Sequence, residues 1–119
     1  MRFGFAVFAL ALLSAAPALA TDMELHGTTW VSFGGGDVCG IRSLKFTDNP
    51  TLNSVTVEAV WQVGGAHWLW KDGKLVLDFD DWDGTFTGTP NGDAEIDAAF
   101  HWTTQDGMTR VDRCIFAKQ

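Results

Sequence analysis

The stretch "DGKLVLDFDDWDGTFTGTPNGDAEIDAAFHW", residues 72–102, decides the fold. Leu75, Leu77 and Phe79 alternate with polar or smaller neighbours. Further on, Ala94, Ile96, Ala98, Phe100 and Trp102 alternate with Glu95, Asp97 and His101. A period of two places one set of side chains on one face, as in a strand with a buried and a wetted side. Asp72-Gly73, Asp83-Gly84 and Asn91-Gly92 stand before successive runs, and such pairs supply the positive φ angles of tight hairpin turns. The stretch therefore predicts consecutive antiparallel strands.

The same pattern continues on both sides. "VTVEAVWQV", Val55–Val63, reads as one strand with Val55, Val57, Ala59, Trp61 and Val63 facing inward, followed by "HWLWK". Leu25–Phe33 and Ile41–Thr47 precede these runs, and Asp106-Gly107 leads into "MTRVDRCIF". No window supports a helix of normal length. About eight strands joined by short hairpins predict an all-β chain, a small antiparallel up-and-down barrel, with a two-sheet β-sandwich as the alternative. Adjacent hairpins favour the barrel, because a sandwich needs longer crossovers.

The first twenty residues, "MRFGFAVFALALLSAAPALA", have another character. One positive charge at Arg2, an apolar run and the ending Ala18-Leu19-Ala20 are the layout of a cleaved secretory signal peptide. Residues 1–20 are thus expected to be removed, leaving 21–119 as a single exported domain, periplasmic or secreted, without membrane insertion afterwards. The full chain of 119 residues carries a formal net charge of −7. Removal of Arg2 makes it one unit more negative. Such a charge disfavours nucleic acid, whose binding relies on cations that neutralise phosphates. Cys39 and Cys114 are the two cysteines, and in an oxidising compartment they are expected to form a disulfide.

Seven acidic residues fall between positions 77 and 97, around Trp82, with no lysine or arginine among them. Asp78, Asp80, Asp81 and Asp83 form a candidate calcium loop of non-EF type. Aligning Gly84 with the loop glycine of an EF-hand puts Phe79 and Pro90 at two ligand positions, which excludes that motif. The six tryptophans and absence of tyrosine are the other compositional feature. Trp61 and Trp102 share faces with core residues. Trp68, Trp70 and Trp82, with Asp80, Asp81 and Asp83, are the candidate ligand-binding set, since an indole beside carboxylates suits sugars or cations.

His26, His67 and His101 show no zinc spacing, and Ser32, Ser43 and Ser54 lie in no nucleophile-elbow motif. No catalytic residue is assigned, and no resident cofactor is expected. An early "HGTTW" followed by hairpins resembles the calycin group of small secreted barrels: lipocalins, avidins and bacterial protease inhibitors. The signal segment and the tryptophan–aspartate surface lead to the expectation of an exported, non-catalytic binding protein, taking a small molecule or inhibiting a secreted enzyme, and the acidic charge suits a basic secreted protein as partner. A small secreted hydrolase using Glu58, Glu95 or a histidine, and an envelope interaction subunit, are the alternatives.

Overall fold

The computed structural model describes residues 23–33, 40–103 and 106–119. The expected signal peptide and Cys39 lie outside the described residues. Eight strands follow in order: β1 (Thr29–Ser32), β2 (Ile41–Phe46), β3 (Ser54–Ala59), β4 (Val63–Lys71), β5 (Lys74–Phe79), β6 (Thr85–Pro90), β7 (Glu95–Thr103) and β8 (Thr109–Lys118). Each pairs antiparallel with the next, and β8 returns to pair with β1 through Trp30↔Lys118 and Ser32↔Phe116. The sheet is a closed up-and-down barrel, not a sandwich.

Alternation accounts for the wall. Val55, Val57 and Ala59 of β3, Leu75, Leu77 and Phe79 of β5, and Ile96, Ala98 and Phe100 of β7 all point into the core. The interior is packed with bulky side chains, of which Trp30, Phe86 and Phe116 have no exposed surface. An eight-stranded barrel is just wide enough for its own side chains to fill it. Asp72 and Gly73 have φ angles of 53° and 77°, the left-handed pair that a two-residue hairpin turn requires.

Two expectations are corrected. The first strand is shorter than Leu25–Phe33: residues 25–28 form a turn that inserts Leu25, wholly buried, into one barrel end. Val55–Val63 is not one strand either. The chain reverses at 60–62, where the Ala59 N–H donates to the Gln62 carbonyl and the Val60 N–H to the Gly40 carbonyl. Trp61 and Val63 consequently leave the inward face and are 47% and 63% exposed. The residues after this turn, Val63–Ala66, belong to β4 and extend "HWLWK" to nine residues.

Antiparallel connectivity sorts the loops. The 60–62 turn and the 80–84 loop lie at one end, here called the mouth. Segment 23–28, loop 47–53 and the Asp72-Gly73 and Asn91-Gly92 turns lie at the other, here called the base.

Candidate functional site

The mouth is built from side chains on four separate pieces of chain. Phe79 ends β5 and lies 5.3 Å, centroid to centroid, from Trp82 in the following loop. Trp82 is 5.3 Å from Trp61 on the β3–β4 turn. Trp61 stacks on Trp102 of β7 at 6.1 Å and 25°. Trp102 stacks on Phe100 at 6.4 Å and 10°, and Phe100 meets Phe79 edge-on at 5.4 Å. Five contacts thus close into a ring. Offset and edge-on pairs of this kind are each worth about 0.5–1.5 kcal/mol beyond the area they bury.

The ring is graded in depth. Phe79 and Phe100 are buried and form its floor, Trp82 and Trp102 are half-buried, and Trp61 lies outermost with almost half its surface exposed. Each tryptophan is held differently. The Trp102 Nε1–H donates to Asp112 Oδ2 at 2.7 Å, while the Arg110 guanidinium sits 5.3 Å above the ring and 3.8 Å from the same carboxylate. Arg110 is directly opposite Trp102 across the β7–β8 pair. Trp82 rests on Gly64, where a Cβ would come within 2.8 Å of its Cζ2. Its Nε1–H is buried without a hydrogen-bond partner among the described residues.

The next residue, Gly65, faces the other side of β4. A Cβ there would lie 2.8 Å from Asp80 Oδ2, and Asp80 Oδ1 is 3.0 Å from His67 Nδ1. Successive glycines therefore seat Trp82 toward the mouth and Asp80 on the outer wall. Asp80, Asp81 and Asp83 are all exposed, and none has an opposing lysine or arginine within ion-pair distance among the described residues. The mouth thus offers an apolar indole beside a negatively charged loop.

The candidate residues read from the sequence divide between the two ends. Trp82, Asp80, Asp81 and Asp83 are at the mouth. Trp68 and Trp70 point inward toward the base, Trp68 nearly buried between His26 and Phe46. Asp78 projects from the outer face of β5, opposite His67. Among the described residues no group of three or more histidine, cysteine or acidic side chains is placed to hold a metal ion.

Trp61 was missed by sequence reasoning as a surface residue and Arg110 and Asp112 were not singled out, whereas Trp102 packs against the core cluster as its shared face with Phe100 implied. For Trp61 the usable signal was the pair Gly64-Gly65, which marks a close approach inside a strand. Residues weighed for catalysis do not meet. Glu58 on the outer face of β3 accepts from Ser43, Glu95 lies near the base beside Asn91, and His101 is exposed on β7. Ser54 faces His67 across β3 and β4, but no hydrogen bond joins its Oγ to the imidazole among the described residues.

A groove of about 610 Å³ on the outer wall runs from Thr29 and Lys45 across Thr56 and Gly65 to His67 and Asp80. Cys114 is buried on the inner face of β8 and is not a free thiol. Compared with known proteins, the chain matches no family model, no characterised protein and no solved structure. The likeness to calycins is one of architecture, a closed eight-stranded antiparallel barrel.

Proposed function

We propose that this chain is an exported, non-catalytic binding protein that engages a basic secreted protein through the rim of its mouth. The observation that carries this reading is Trp61, a large indole left half-exposed yet braced on both sides by Trp82 and Trp102. A rigid aromatic anchor costs little side-chain entropy on binding, and such residues dominate interface energetics. The acidic loop beside it would steer a positively charged partner and accelerate association at low salt. The packed interior favours a protein at the rim over a small molecule within the barrel.

The resemblance to inhibitor-type calycins adds the further expectation that the partner is an enzyme, of protease or lysozyme type. Export through cleavage after Ala20 and a Cys39–Cys114 disulfide belong to the same reading, with Cys114 buried on the inner face of β8. The test is binding of the mature protein to a panel of purified basic secreted enzymes at low and high salt. Trp61→Ala should weaken the complex by about tenfold to hundredfold, as truncating a central aromatic anchor does. Asp81→Asn with Asp83→Asn should mainly slow association. Binding untouched by either change would reject the mouth as the site.

A further inference from the structure

The base of the barrel carries a different device. The His26 imidazole lies between Glu24 Oε1, 2.6 Å from Nδ1, and the Leu52 carbonyl, 2.9 Å from Nε2. Both partners are acceptors: an ionised carboxylate and a backbone carbonyl. A neutral imidazole has a single N–H and satisfies one of them; only the imidazolium donates to both. We propose that protonated His26 is a pH-dependent latch that holds segment 23–28 and loop 47–53 together over Trp68 and so seals the base.

The surroundings of His26 favour the charged ring. Glu24 is its one ionisable contact among the described residues, and its carboxylate also accepts from the His26 backbone N–H at 2.9 Å. From loop 47–53 it meets the Leu52 carbonyl and the Asn53 side chain, and from β4 it meets Trp68 edge-on at 5.2 Å. Asp48, in the same loop, packs against Gly27. The hydrogen bond to Glu24, then those to Leu52 and Asn53, hold the imidazole above its ordinary value of 6.5, against the opposing effect of desolvation. Glu24 is held below the usual carboxylate value, first by the His26 backbone N–H and then by the ring.

The direction of the switch follows from linkage. A raised folded-state value means that the latch contributes fully below 6.5 and is lost as pH rises through the folded value. Glu24 acts oppositely, and its contribution is lost as pH falls below the carboxylate range. The latch is therefore closed in mildly acidic surroundings and released toward alkaline pH. Release leaves the Gly27 N–H to Thr47 carbonyl bond between the two segments but loosens loop 47–53 at Leu52 and opens to water Trp68, whose buried Nε1–H has no partner among the described residues. Leu25 remains in the core as an anchor, so the barrel stays folded while its base loosens.

The experiment is NMR of the mature protein labelled with nitrogen-15, titrated between about pH 5 and 9, the range in which imidazoles change charge. At the acid end, His26 should show protons on both ring nitrogens. Its transition should lie above that of an exposed histidine, and the Trp68 indole and Gly27 and Thr28 amides should shift with the same midpoint. Glu24→Gln should move that midpoint to lower pH without unfolding the chain, and His26→Gln should abolish the coupled shift at Trp68. A His26 midpoint at or below the ordinary value, or one unmoved by Glu24→Gln, would overturn the proposal. So would a Trp68 resonance that ignores the titration.

Discussion

Replacing Gly64 with alanine isolates the contact that seats the aromatic ring. The three atoms nearest the added Cβ all belong to Trp82, at 2.8, 3.2 and 3.3 Å. The shortest is closer than carbon atoms pack, so the indole must shift out of its place against Trp61 and Phe79. Overfilling a packed site costs about 1–3 kcal/mol. Against this, exchanging glycine for alanine on an unstrained backbone stabilises by about 0.4–1 kcal/mol through the unfolded chain, and Gly64 has no positive φ to oppose it. The net expectation is a loss of about 1 kcal/mol, or roughly 4–8 °C in Tm for a domain of this size. In a Trp82→Ala background the obstruction is gone, and the same substitution should become neutral or stabilising. Urea unfolding of the four proteins in the cycle should give a coupling of about 2 kcal/mol, the size of the overfilling cost. Equal effects of Gly64→Ala in both backgrounds would show that Trp82 does not occupy this seat.

Other consequences are independent of the mouth ring. Thr28 Oγ1 accepts from the Trp30 indole at 2.8 Å and donates to the Leu25 carbonyl at 2.6 Å. Thr28→Val keeps the shape but strands a fully buried N–H, and chemical unfolding should register a loss of about 2 kcal/mol. Asp112→Ala removes the acceptor of the half-buried Trp102 N–H and the partner of Arg110. It should cost about 1–2 kcal/mol in the same assay and change the tryptophan near-ultraviolet dichroism. Reduction of the expected Cys39–Cys114 disulfide should lower stability by about 4 kcal/mol in the chain-entropy treatment, read from unfolding curves with and without reductant. A mature protein with two free thiols by mass spectrometry would remove that prediction.

What was legible in the sequence follows from the range of the interactions involved. Alternation is local, and it correctly assigned the inward residues of β3, β5 and β7 because each strand has one buried face. Hairpin turns are local too, as the positive φ angles of Asp72 and Gly73 demonstrate. The reversal at 60–62 was not legible. Val60-Trp61-Gln62-Val63 continues a formal alternation, and what bends the chain is a hydrogen bond to Gly40 from a distant segment beside the register shift between Ile41 and Ser43. That single error moved Trp61 from the surface to the core. The ring itself joins residues from β5, β7 and two connections, and no one-dimensional period encodes such a meeting.

The six tryptophans take on meaning once they are placed. Trp30, Trp68 and Trp70 lie toward the base, where a turn of the chain inserts Leu25 and His26 crosses over Trp68. Trp61, Trp82 and Trp102 lie at the mouth, where Gly40 packs against Trp61 yet almost half of that indole stays exposed. Both ends of a packed barrel must exclude water from the core, and indoles are large enough to do so. A closure alone, however, would favour turning every ring inward, as at the base. At the mouth the outermost indole is instead presented to solvent on a braced support, with the exposed Asp81 and Asp83 in the neighbouring 80–84 loop. Exposing such a surface forgoes hydrophobic burial that the base secures. That asymmetry is the physical reason to look for recognition at the mouth and for regulation at the base.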